Sequence, residues 1–165
     1  MNGIQGARKL TVCVTKTKLS MGKINYARLV AGAILAAIFY FIADGFIHGA
    51  ILGSYHMAAI TAAGKPLQPD PTAYVYFAIF DLGKGLVALL VYVAARSRFG
   101  AGVKTAVWSG LLVWLAIEAL PQIANMPFPF YEKSFYWKWI ALELVPCVIG
   151  AILGAAIYKE SSNAG

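Results

Sequence analysis

Charge is what this sequence has least of. Only 13% of its 165 residues are Asp, Glu, Lys or Arg, about half the share found in an average soluble domain. A water-soluble fold of this length could not cover its surface with so few. Cysteine is scarce as well. Cys13 and Cys147 cannot make a disulfide scaffold, and neither has a metal-ligating neighbour in sequence. There is no P-loop, no G-x-G-x-x-G turn, no H-E-x-x-H pair and no G-x-S-x-G elbow. The chain is therefore read as non-enzymatic.

What the sequence does have is apolar length. Hydrophobic residues make up 60% of it and the mean hydropathy is +0.69. Crossing about 30 Å of hydrocarbon takes about 20 mainly apolar residues in a helix. Four stretches qualify, at about 26–53, 72–95, 105–123 and 135–158, and none alternates as a membrane β-strand would. The expected fold is an all-α membrane domain over residues 24–160, four helices running up and down as an antiparallel bundle. Residues 1–23 form a polar, basic tail, either disordered or preceding a true start at Met21, and 161–165 form a short C-terminal tail. The first apolar run is too long for a cleaved leader and reads as a signal anchor.

Lys and Arg set the expected orientation. Arg8, Lys9, Lys16, Lys18, Lys23 and Arg28 precede the first helix, Arg96, Arg98 and Lys104 lie between the second and third, and Lys159 follows the fourth. The other two connections carry Lys65, Lys133 and Lys138. Both termini are thus expected in the cytoplasm. Residues 54–71 and 121–134, each rich in Pro, are expected as outer loops. The net charge of +7 is mostly this asymmetry and needs no nucleic acid to explain it.

Each helix also holds one carboxylate: Asp44, Asp81, Glu118 and Glu143. Lys84 and His48 accompany them. A charge near mid-bilayer costs roughly 2.5–3.5 kcal/mol on insertion scales, so these groups must turn inward. At 1.5 Å per residue their depths agree to within about 6–8 Å, in the outer half of the bilayer. Helical spacing puts His48 on the face of Asp44 and lets Lys84 reach Asp81. Trp114 and Gln122 share the face of Glu118; Tyr136, Trp139 and Cys147 share that of Glu143. With all four acids ionised and His48 neutral the cluster would carry −3, so it must hold protons or a cation.

Several roles follow. The first reading is interhelical glue, worth roughly 0.6–2 kcal/mol per contact, in a non-catalytic accessory or scaffold subunit, which is the leading expectation. The second reading is a cation or proton site in a small oligomeric transporter, with Trp114, Tyr136 and Trp139 suited to walling an organic cation. The third is a metal- or tetrapyrrole-binding subunit, weakened by the lack of a Glu-x-x-His pair; no cofactor is predicted. Small residues at four-residue spacing, Gly45, Gly49 and Gly53 in the first helix and Gly150 and Gly154 in the fourth, are expected to pack helices within the chain or, as a dimer contact, between chains. Besides the bilayer, the expected partners are further copies of the chain or a larger membrane complex.

The segments NYARLVAGAIL (25–35), RSRFGAGVKTAVWSGLLVWL (96–115) and LELVPCVIGAILGAAIYKE (142–160) resemble an uncharacterised family of small bacterial four-helix membrane proteins. The likeness covers about residues 24–160. It implies the bacterial inner membrane and carries no activity or ligand with it. The Asp81/Lys84 pair is not part of that resemblance.

Overall fold

The computed structural model describes residues 24–65 and 70–160. Expectations about 1–23 and 161–165, and the parts played by Cys13, Pro66 and Pro69, lie outside the described residues. The first helix, α1, runs Tyr26–Phe46 and is capped by Asn25, whose side chain accepts from the Arg28 N–H at 3.1 Å. It continues through a π-helical turn, Ile47–Ile51, into α2, Gly53–Ala62. Then follow α3 (Ala73–Phe99), α4 (Val103–Val113), a second π-helical turn (Trp114–Ala119), α5 (Leu120–Asn125) and α6 (Lys133–Ile157). Four spans are long and apolar enough to cross a bilayer: Tyr26–Ile51, Ala73–Phe99, Val103–Asn125 and Lys133–Ile157. They pack as a ring in chain order, α1 on α3, α3 on α4, α4 on α6 and α6 back on α1. The architecture is the helical membrane bundle expected from hydropathy, with no strand among the described residues.

Two connections differ from expectation. Residues 53–62 are helical rather than loop, because no proline interrupts the chain before Pro66. Residues 121–125 belong to the third span despite Pro121. Proline lacks an N–H and is tolerated in the first turn of a helical segment; the π-helical turn ends at Ala119, so Pro121 takes such a position.

Burial along the spans is sorted by size and polarity. On α3 the buried stripe is Asp81, Lys84, Gly85, Ala88, Leu89 and Tyr92, while Phe77, Ile79, Phe80, Leu82, Leu86 and Leu90 face outward. In lipid there is no hydrophobic gain in hiding a leucine, so small and polar residues take the interior. Glycine marks the closest crossings. A Cβ on Gly32 of α1 would lie 2.6 Å from the Gly154 carbonyl oxygen of α6, and one on Gly85 of α3 would lie 2.5 Å from the Ala33 carbonyl oxygen of α1. Gly150 abuts the Tyr40 ring.

The first-helix glycine run behaves otherwise. A Cβ on Gly45 or Gly49 would meet nothing within 4 Å, and Gly53 faces only the carbonyl of His48. The reason is angular: the face of α1 that meets α6 is set by Leu29, Gly32, Ala33, Ala36 and Tyr40, and Gly45 and Gly49 lie off it.

Candidate functional site

Lys84 is the centre of the interior. Its side chain is fully buried, and its Nζ donates to Asp44 Oδ2 at 2.6 Å and to Glu118 Oε1 at 3.0 Å. Glu143 Oε2 stands 3.7 Å away and Asp81 Oδ1 3.9 Å. The four spans thus contribute one carboxylate each to a single ammonium. The rings of Tyr40 and Phe80 flank it, with centroids 4.8 and 5.7 Å from Nζ. Sequence spacing points to Asp81 as the lysine's partner; the nearest acid is Asp44, delivered by α1.

The donors run out before the acceptors do. Glu118 is satisfied on both sides, since its Oε2 accepts from the Trp139 indole N–H at 3.0 Å. Asp44 Oδ1, Asp81 Oδ1 and both oxygens of Glu143 are buried with no hydrogen-bond partner. An ionised carboxylate left so in a dry interior costs several kcal/mol. One fixed cation cannot balance four ionised acids there; protons or a further cation must.

Both π-helical turns fall at this level. One carries His48 and the other carries Glu118. Widening a helix to i→i+5 bonding inserts a residue and re-aims the side chains around it, and such turns recur at functional sites. Trp114, which opens the second turn, donates its indole N–H to the Ile140 carbonyl on α6 at 2.7 Å and so pins the distorted segment. Gln122 and Tyr136 are buried, yet among the described residues neither hydrogen-bonds to the acids.

His56 is a member that the sequence reading missed. Its Nε2 lies 3.2 Å from His48 Nδ1 and its Nδ1 lies 3.1 Å from the Tyr131 hydroxyl. His48 Nε2 in turn stands 3.3 Å from Glu143 Oε1, at ion-pair distance but off hydrogen-bond alignment, which is why that oxygen remains without a bonded partner. Phe135 and Trp139 of α6 pack edge-on to the His56 ring. Burial there, and then the neighbouring His48, hold the His56 imidazole below its ordinary range. Burial likewise pushes the Tyr131 phenol up. The signal for His56 was only that a second histidine follows His48 by eight residues, a little over two helical turns; ending the first helix at 53 hid it.

A metal is less well served by the same groups. Glu118, Glu143 and Cys147 offer ligand atoms within 4.8 Å of one another, but Lys84 and Trp139 already occupy both oxygens of Glu118. The set is a cradle for an ammonium.

The chain is similar to a protein of Bacillus subtilis (strain 168) described as "Uncharacterized transporter YrhG". The two are 23% identical over 162 residues, covering 88% of this chain and 60% of that protein. No family model matches the chain, and no solved structure matches it. With its four apolar spans and this likeness, it is a multi-pass membrane protein. In such a protein, an intramembrane group of ionisable residues around one lysine is its principal functional candidate.

Proposed function

We propose that the cluster is a reversible proton store and that the chain is a small proton- or cation-coupled transporter acting as an oligomer. The observation behind this is the excess of acids. Four buried carboxylates share one lysine, and Glu143, wholly buried, has no hydrogen bond. Acids so buried must share protons or a cation among them, and an acid without a partner is a place where a further proton can be taken up. The description of the Bacillus subtilis relative as a transporter agrees with this reading. Oligomerisation answers the small number of spans, since alternating access usually joins two multi-helix repeats around one site.

The test is flux. Reconstituted wild-type protein is expected to dissipate a proton gradient across vesicles. A variant carrying Asp44→Asn, Asp81→Asn, Glu118→Gln and Glu143→Gln should fold but lose that flux. Wild-type vesicles tight to protons under every common cation gradient would return the cluster to the role of glue in an accessory subunit, which the two close bonds of Lys84 also suit.

The orientation we assign has both termini in the cytoplasm, in a bacterial inner membrane. Arg28, Arg96, Arg98 and Lys104 gather at one end of the bundle, where Arg28 donates to the Ile157 carbonyl at 3.3 Å and Arg96 pairs with Glu160 at 3.3 Å. The positive-inside tendency puts that end in the cytoplasm and α2 outside. A cysteine placed at Ser97 is expected to resist an impermeant thiol reagent in intact cells; labelling from outside would reverse the assignment.

A further inference from the structure

We propose that Tyr131, His56 and His48 form a proton relay that connects the α2 face of the bundle to Glu143, and through it to Lys84 and the other acids. This inference rests on the reading of the cluster as a proton store and names the route by which it fills.

The geometry is a continuous series of short contacts. Tyr131 lines an open surface groove of about 570 Å³ bounded by α2 and the segment before α6, together with Tyr55, Ala58, Ala59 and Phe130. From its hydroxyl the path runs 3.1 Å to His56 Nδ1, then from His56 Nε2 3.2 Å to His48 Nδ1. His48 Nε2 is 3.3 Å from Glu143 Oε1, and Glu143 Oε2 is 3.7 Å from Lys84 Nζ. Each imidazole therefore presents one nitrogen toward the groove and the other toward the interior. A neutral imidazole donates from one nitrogen and accepts at the other. One tautomer set serves every contact once: Tyr131 O–H to His56 Nδ1, His56 Nε2–H to His48 Nδ1, and His48 Nε2–H toward Glu143.

The transfer balances as follows. A hydronium in the groove gives a proton to the Tyr131 oxygen while the phenol's own proton passes to His56 Nδ1. His56 releases its Nε2 proton to His48 Nδ1, and His48 releases its Nε2 proton to Glu143 Oε1. One proton has left the water and one carboxylate has become a carboxylic acid; the three relay groups are neutral before and after. The two imidazoles end as their Nδ1–H tautomers, and the same steps run backward, when Glu143 gives its proton up, restore the starting set of donors.

The surroundings favour passage over trapping. The titratable groups that face His56 are His48 and Tyr131; from α6 it meets Phe135 and Trp139, which do not titrate. His48 faces His56, Glu143 and the Trp139 ring. Two imidazoles 3.2 Å apart do not both hold a positive charge easily, since like charges at that distance repel, so the pair carries at most one extra proton at a time. Glu143, buried and without a hydrogen bond, is the acceptor nearest the last nitrogen, 3.3 Å from it, and a small turn of the His48 ring would bring the two into line.

The experiment is an acid jump on the full chain in lipid nanodiscs, following the infrared band of protonated carboxyl groups in time. Wild type is expected to gain that band quickly. His56→Ala should gain the same final band about 100-fold more slowly, within the range a positioned proton carrier contributes, and imidazole added to the buffer should restore the rate. His56→Gln, which retains a hydrogen-bonding side chain to hold the local structure, should be slow and refractory to imidazole. Wild-type rates in His56→Gln, or slowing in His56→Ala that imidazole does not relieve, would overturn the relay while leaving the proton store intact. No band in wild type, or an unchanged one in the four-acid variant, would overturn the store itself and the relay with it.

Discussion

Replacing Lys84 with Met is expected to destabilise the bundle by about 3–5 kcal/mol, the usual cost of removing one partner from a buried ionic group. The lysine is 1% exposed, so no water stands ready to take its place. Its loss leaves Asp44 and Glu118 without the hydrogen bonds they receive at 2.6 and 3.0 Å, and leaves all four acids without a fixed counter-charge. They must gain protons or move apart, and the four spans that carry them move with them. The second substitution that best repairs the damage identifies the principal partner. Sequence spacing favours Asp81→Asn; the distances favour Asp44→Asn, because Asp81 is 3.9 Å from the ammonium. Thermal unfolding in one detergent should therefore rank Lys84→Met with Asp44→Asn above Lys84→Met with Asp81→Asn, and both above Lys84→Met alone. A Lys84→Met protein as stable as wild type would mean that the lysine does not hold the cluster.

Gly85→Leu is expected to be the most disruptive change away from the charges. Even the first carbon of a side chain there would lie 2.5 Å from the Ala33 carbonyl oxygen and 3.0 Å from the Ala37 nitrogen. Those are backbone atoms, which cannot rotate aside, so α1 and α3 must separate. Overpacking a core typically costs about 1–3 kcal/mol, and a clash against backbone belongs at the upper end. Separation would also stretch the Lys84–Asp44 bond, since Lys84 is the adjacent residue on α3. The control is Gly45→Leu, where a Cβ meets nothing within 4 Å. It should alter the unfolding temperature little, as surface changes usually fall within about 0.5 kcal/mol. Equal losses at Gly85 and Gly45 would contradict the crossing described for α1 and α3.

These cases show what hydropathy and spacing can reveal and where they stop. The four spans were legible because each is a long apolar run and lipid demands that length. The meeting of Asp44, Asp81, Lys84, Glu118 and Glu143 was legible because charges in hydrocarbon have only the interior to go to, and depth counts along four helices agreed. Which acid lies closest to Lys84 was not legible, because that depends on the rotation of α1 about its own axis. Gly32, Gly85 and Gly110, all at crossings, carry no repeat spacing to mark them, whereas Gly45 and Gly49 are so spaced and meet nothing. His56 was hidden by two irregularities together: the π-helical turn at Ile47–Ile51 and the bend at Leu52 carry the chain past the end of the span and back into α2, and no apolar periodicity records either.

The outward-facing residues of α3, among them Phe77, Phe80, Leu82, Leu86 and Leu90, give the lipid a part in the structure beyond that of a medium. Acyl chains lying against this surface bind the assembled bundle in a way they cannot bind separated helices, so in the language of linkage they are a ligand of the folded state. Bilayer thickness and composition then become variables in the same equation as Lys84 and Gly85. A membrane that matches the apolar height of the spans tightens the grip on the buried charges, and one that does not lets water reach them. Bilayer thickness is therefore expected to influence how dry, and so how strongly interacting, the five central ionisable groups are.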